Sequence, residues 1–356
     1  MRKIYYSPNT FQSYGEPEID AVEKFLRENS IDDKNAIVKF EERISSIFHM
    51  KYGIFTNSGS SANLLACLAL DINEKDEVIT PACTFPTTLS PLIFLKSKVI
   101  FVDIAEKHYV PSVKQVLDAI RPTTTAVLIP DLVGDKFDFD SLRKELEKIN
   151  RTDIKFIEDA CDTVTTSTAD VATISFYASH IVNAGGCGGM CLTNDDRLAD
   201  KMRRLRSSPC WDFTAPSYCA VFGYTNSLKI EEFAKKRHEN MLYYIEKLKN
   251  CDFYELPENT DCQWLSMALV AKSHRFEIVK ELEEKGVQTR LVMAGNILRQ
   301  PFYQKLFPHA HADDFPETEK IFRGGMLLGL HQGITSDDID YICNILIELA
   351  NKYANE

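Results

Sequence analysis

"TNSGSSANLLACLAL", residues 56–70, carries the chain from one kind of structure into another. It takes over the end of an apolar run, "YGIFTN" (52–57), turns through Gly59 and its flanking serines, and continues with leucine and alanine at helical spacing. Strand, Gly/Ser turn and helix then recur. Further strands are predicted at "EVIT" (77–80), "KVIFVDI" (98–104), "TAVLIP" (125–130), "IKFIED" (154–159), "VATISFY" (171–177) and "GGMCLTN" (188–194). Helical stretches fall at 16–29, 60–71, 112–120, 139–149 and 195–206. Seven strands alternating with helices predict an α/β fold with a mostly parallel sheet covered on both faces.

From Lys229 the rhythm changes. "KIEEFAKKRHENMLYYIEKLKN" reads as one long helix, followed by "QWLSMALVA", a helix near 274–285 and a C-terminal helix from Ser336. A large α/β domain over 1–240 and a smaller C-terminal α+β domain over 241–356 are expected. The composition, 44% hydrophobic and 26% charged over 356 residues, is that of a soluble globular chain. A formal net charge of −11 argues against a broad basic face for nucleic acid but leaves room for a local basic pocket. "MRKIYYSPNTF" has no apolar signal core and no run is long enough for a bilayer, so no membrane association and a cytoplasmic location are expected. The ten cysteines are spread out and read mostly as reduced core residues. Cys187 and Cys191 lack a second pair at zinc-site spacing, and "HAHADD" (309–314) reads as an exposed polar loop, so no metal is expected.

In open parallel sheets ligands sit at the carboxyl ends of the strands. There, Gly59, Ser60 and Ser61 offer backbone and hydroxyl donors at a helix start, where phosphate binds well; helix capping is the plainer alternative. Glu158 and Asp159 end an apolar strand, where carboxylates need partners; Asp159 could pair with a protonated pyridine nitrogen or cap a loop. Phe85 lies just past a strand end, suited to stacking on a flat ring or to the core. In "SFYASHIVNAGG" (175–186) Ser175 and His180 lead into a loop of small residues. A pyridoxal phosphate site normally holds a lysine, yet none occurs from Phe156 to Asp200.

"NSGSSANLLA", "TFPTT", "IEDACD", "SFYASH", "CW" at 210–211, "GYTNSLKI" and "TRLVMAGNILRQP" together resemble the DegT/DnrJ/EryC1/StrS sugar-nucleotide aminotransferase family, which has the fold type I pyridoxal phosphate architecture. The resemblance is closer still to its nucleotide-linked 4-keto-6-deoxyhexose 3-dehydratase branch, and runs over about residues 35–345. It implies that Gly59 and Ser60, joined by Ser175, hold the cofactor phosphate, with Ser61 a further cofactor-binding candidate from the helix start, that Phe85 stacks on the ring, that Asp159 pairs with its nitrogen and that Asp162 lies near its hydroxyl. Asn226 would reach the phosphate of a neighbouring subunit, implying a homodimer with shared sites. Arg290, Asn296 and Arg299 are candidates for contacting substrate, with a surface ion pair the alternative for each arginine.

Where the aminotransferases carry lysine, the dehydratases carry histidine, here His180. An imidazole cannot form the stable covalent link to the cofactor that an ε-amine forms, which favours untethered pyridoxamine 5'-phosphate over lysine-bound pyridoxal 5'-phosphate. The amine would condense with a C4 sugar ketone, His180 would move protons, and the C3 hydroxyl would leave. Glutamate would restore the amine. Two other readings stand: an aminotransferase using Lys201 or Lys229, and a relative that has lost catalysis. One dehydratase subgroup carries an iron–sulfur cluster. Here Asp212 stands where the cysteine after Cys210 and Trp211 would be, so no cluster is expected. The run Gly185-Gly186-Cys187-Gly188-Gly189 departs from the family's Gly-Glu-Gly-Gly, which leaves the exact substrate open.

Overall fold

The structure is a computed structural model describing residues 2–354 except 10, 30 and 32. Its main sheet has seven strands: β1 (Tyr52–Thr56), β2 (Glu77–Pro81), β3 (Lys98–Val102), β4 (Thr124–Pro130), β5 (Lys155–Asp159), β6 (Val171–Ser175) and β7 (Gly189–Thr193). They lie in the order β1-β7-β6-β5-β4-β2-β3. β7 runs antiparallel to both neighbours, and every other pair is parallel. Every residue of β2, β6 and β7 is buried, as continuous apolar strands between two helical layers should be. Successive side chains point to opposite faces, so β5 sends Ile157 and Asp159 one way and Phe156 and Glu158 the other. Ile157 packs with Ala62 and Leu65 of the helix Gly59–Ala69, and Phe156 packs with Phe139 and Leu142 beneath.

That topology places the site. The parallel strands bring their carboxyl ends to one edge, while the reversed β7 brings its start there, with the Gly-rich loop before it. Ser58 Oγ accepts from Ser61 N and caps the helix Gly59–Ala69, so the chain turns sharply off β1. The approach is close: a Cβ on Gly189 would lie 2.3 Å from the Ser58 carbonyl oxygen, and one on Gly59 would lie 2.8 Å from Ser175 Cβ. Glycine at both positions lets the three chain segments meet.

A two-stranded ribbon, β8 (Ser207–Ser208) and β9 (Trp211–Asp212), follows the main sheet. β10 (Tyr254–Glu255), β11 (Met267–Ala271) and β12 (Gly325–Leu328) then form a small antiparallel sheet. The helices Ile230–Leu248 and Ser336–Tyr353 cover it through Met241, Tyr244, Ile342 and Leu346. Residue 240 lies inside the first of these helices, so the two layers share it rather than meeting at a linker. The N-terminus also joins the second layer, since Ile4 bridges to Val287. The two layers touch where Leu265 N donates to Val133 O (2.8 Å) and Trp264 meets Tyr109 edge-on. Helices at Lys34–Ile47, Pro86–Phe94 and Ser217–Ser227 add to those read from the sequence. No helix among the described residues is long and apolar enough to cross a membrane.

Candidate active site

A cleft of about 440 Å³ opens at the carboxyl edge of the main sheet. The turn after β1 (Asn57 to Ser60), Phe85 and Thr88, the end of β5 (Asp159, Cys161, Asp162), Ser175, the loop Tyr177–Gly188, and Tyr6, Leu265 and Met293 from the second layer form its walls. No lysine lines it.

On one wall the central carboxylate is held by partners. Asp159 Oδ2 accepts from Asn63 Nδ2 (2.8 Å) and Thr88 Oγ1 (2.7 Å), while Oδ1 takes only a longer contact from Cys161 N (3.3 Å). Thr173 in turn donates to Asn63 Oδ1, fixing the amide. The carboxylate is thus oriented, with acceptor capacity left on a buried group that lines the cleft. Behind it, Glu158 takes the Ser167 hydroxyl on the opposite face of β5.

The other wall differs. The His180 side chain is 16% exposed, and its Nδ1 has no hydrogen-bond partner. The nearest carboxylate oxygen, Asp162 Oδ1, is 3.9 Å away, beyond hydrogen-bond reach. Burial, reinforced by the charge of Arg237, pushes the imidazole down to about 4. Burial pushes the Asp162 carboxyl up to about 7, despite the 2.9 Å hydrogen bond it accepts from Val133 N. Near neutral pH the two are therefore a neutral imidazole beside a half-titrated carboxyl, not an ion pair. Arg237 is 1% exposed and donates from Nη1 to Leu265 O (2.8 Å), while Nε and Nη2 have no partner. Burial lowers its own pKa to about 10, so it stays charged at neutral pH. Tyr6, whose phenol burial pushes up to about 12, completes this side as a protonated hydroxyl.

Residues 12–347 match the DegT/DnrJ/EryC1/StrS aminotransferase family. The chain belongs to that family. Within it, the chain is 29% identical over 369 residues to the lipopolysaccharide biosynthesis protein RfbH of Salmonella typhimurium, covering 85% of this chain and 82% of that one. It is 27% identical to the GDP-4-keto-6-deoxy-D-mannose 3-dehydratase of Yersinia pseudotuberculosis (97% and 100% covered) and 26% identical to the GDP-perosamine synthase of Caulobacter vibrioides (86% and 88% covered). The fold matches that of the E. coli GDP-4-keto-6-deoxy-D-mannose-3-dehydratase with bound hydrated PLP at a TM-score of 0.88, with 23% identity, 97% of this chain and 100% of that one covered. The DegT/DnrJ/EryC1/StrS enzymes are sugar-modifying and depend on pyridoxal phosphate.

The cleft fits the family's cofactor. A helix N-terminus with the exposed Ser60 suits a phosphate, the spare acceptor on Asp159 suits a protonated ring nitrogen, and Phe85, 45% exposed at the cleft, offers an aromatic face. Of the residues singled out from sequence, Gly59, Ser60, Phe85, Asp159, Asp162, Ser175 and His180 meet here. Ser61 does not line the cleft; its hydroxyl donates to Asn57 Oδ1 (2.6 Å). Asn226 is also turned away from the cleft. Its amide donates to Ser13 O (2.8 Å) and Glu18 Oε1 (3.0 Å) and accepts from Asn183 N (3.0 Å).

Arg290 is exposed beside the mouth, its guanidinium 5.6 Å from the centre of the Tyr6 ring. Asn296 and Arg299 are held within the chain. Glu319 takes both Arg299 Nε and Nη2 at 3.0 Å and also Asn296 Nδ2 at 3.2 Å, the ion pair that was the alternative for Arg299. In "HAHADD", Asp313 contacts Arg299. Sequence reasoning missed Asn63, Thr88, Tyr6 and Arg237. Asn63 was within reach, because it lies four residues after Gly59 on the same helix face.

Proposed function

We propose that this protein is a pyridoxamine-phosphate-dependent 3-dehydratase that removes the C3 hydroxyl of a nucleotide-linked 4-keto-6-deoxyhexose, with glutamate restoring the cofactor's amine. The observation that carries the reading is the absence of lysine from the cleft wall, with His180 facing the space instead. Both alternative lysines are engaged elsewhere: Lys201 with Asp71 and Lys229 with the buried Glu18. The dehydratase among the relatives points the same way.

When bound, the cofactor supplies an amine for the sugar ketone and a ring that accepts an electron pair. The protein's part is positioning and proton movement. Asp159 holds the ring nitrogen, and Phe85 fixes the ring plane. His180, neutral and without a partner on Nδ1, takes a proton on the side where the sugar enters. Its depressed pKa makes the resulting imidazolium a strong acid, suited to protonating the departing C3 oxygen. Arg237 sustains that depression, and Asp162 can exchange a proton near neutrality. Arg290 at the mouth suits a diphosphate or carboxylate. The exposed apolar side chains Phe85, Tyr177 and Leu291 suit coverage by a second copy, and a homodimer is the proposed working form.

A second reading, sugar aminotransfer, draws on the GDP-perosamine synthase among the relatives. The two separate in one incubation of protein, cofactor, glutamate and a 4-keto-6-deoxy sugar nucleotide. Dehydration yields ammonia, 2-oxoglutarate and a sugar without its C3 oxygen; a 4-amino sugar as the product would decide for aminotransfer.

A further inference from the structure

The Gly-rich loop entering β7 carries a thiol that the proposed reaction does not use. Cys187 lines the cleft between Gly186 and Gly188. Its Sγ lies 3.3 Å from the Sγ of Cys219, which sits almost fully buried near the start of the helix Ser217–Ser227. Both are free thiols, and among the described residues no other two cysteine sulfurs make such a contact. Cys67, Cys83 and Cys191 are buried, and Cys191 donates to Ala62 O.

We propose that Cys187 and Cys219 form a reversible disulfide that reshapes the cofactor cleft. Bond formation needs the sulfurs to close by roughly 1.2 Å, since a disulfide spans about 2.05 Å. The helix holds Cys219, so the loop must move. The loop can do so: Gly185 and Gly186 take φ of 76° and 89°, and a Cβ on Gly186 would meet nothing within 4 Å. Cys219 does not line the cleft, so closure draws Cys187 out of the wall. The same loop is tied to the turn after β1 at the cleft through Gly188 N on Asn57 O (3.0 Å). Because no lysine anchors the cofactor in the proposed enzyme, wall contacts govern its retention.

The order of events follows from access. Burial, with Cys187 adjacent, pushes the Cys219 thiol up to about 12, so Cys187 on the cleft side reacts first. With a peroxide as oxidant, the Cys187 thiol becomes a sulfenic acid with release of water. The Cys219 thiol then displaces the sulfenic oxygen, releasing a second water and leaving the disulfide. A small thiol reverses the bond by exchange.

The test treats the reduced full-length protein with a small excess of hydrogen peroxide, cofactor-free and saturated with pyridoxamine phosphate. Non-reducing peptide mapping follows. Tryptic peptides 156–197 and 207–229 contain Cys161, Cys187 and Cys191, and Cys210 and Cys219, respectively, so fragment ions must assign the link. The expected result is a Cys187–Cys219 link that dithiothreitol removes, that cofactor slows, and that Cys219→Ser abolishes while the reduced variant keeps its activity. Titration with pyridoxamine phosphate should show binding weakened roughly fivefold in the oxidised protein, as expected for loss of about one wall hydrogen bond. A link at other cysteines, no link at all, or equal affinity in both redox states overturns the proposal. Failure of the reduced protein to bind pyridoxamine phosphate would instead count against the function proposed above, because the mapping does not depend on cofactor.

Discussion

The two walls of the cleft are built on opposite principles. On the Asp159 side the carboxylate is held in place: Asn63 and Thr88 donate to it, and Thr173 fixes Asn63. On the His180 side three buried nitrogens, His180 Nδ1 and Arg237 Nε and Nη2, have no partner, and the following loop is rich in glycine. Buried polar groups are normally paired, and those left open tend to mark where something else binds or reacts. In the proposed enzyme the partnered wall would be a preorganised seat for a ring, and the open wall the place of proton movement. A lysine on the open wall would have joined both roles; a histidine keeps them apart.

Substitutions on each wall should therefore fail differently. The largest effect is expected for His180→Gln: kcat falls about 100- to 10,000-fold, while pyridoxamine phosphate affinity stays near wild type. Single-turnover assays beside absorbance titrations check this, and a parallel loss of affinity would blur the two walls. Next is Asp159→Asn. Cofactor affinity should drop on the order of 100-fold through loss of a charged hydrogen bond to the ring nitrogen, readable in the same titration.

Arg237→Met tests what keeps the imidazole neutral. Removing a nearby positive charge raises the His180 pKa, so the acid limb of the pH–rate profile should move toward neutral pH by about one unit. Because the guanidinium is buried without a carboxylate, an apolar replacement of similar length should fold at least as well. A profile that stays put would remove Arg237 from the account of His180. The smallest effect is expected for Arg299→Gln. Its charge is spent on Glu319, so KM for the sugar nucleotide should stay within about twofold of wild type.

Much of this arrangement was legible in the sequence, for identifiable reasons. The seven strands are apolar runs closed by turns, and each was placed to within a few residues. The reversal of β7 was not, because direction is a matter of pairing and leaves no mark on a fully buried strand. Pro91 hid the helix Pro86–Phe94, where it sits inside the helix. Asp159 stood out because a carboxylate at the end of an apolar strand needs a partner, Gly59 because a Gly/Ser turn opens a helix there, and His180 because the resemblance puts it where lysine normally stands. Arg237 was hidden within "EEFAKKRHEN", a run that reads as a solvated face. Tyr6 reaches the cleft through the pairing of Ile4 with Val287, a long-range contact that no local pattern announces. Arg299 stayed open between substrate contact and an ion pair for a like reason. Its partner Glu319, twenty residues away, is visible only once the chain is folded.

The separation of seat and chemistry rests on an untethered cofactor, and mass spectrometry tests that directly. The protein is loaded with pyridoxal phosphate, reduced with borohydride, denatured and weighed, with His180→Lys as the positive control. The native chain should keep its unmodified mass while the lysine variant gains the reduced cofactor. A covalent adduct on the native chain, mapped to any lysine, would contradict the role given to His180.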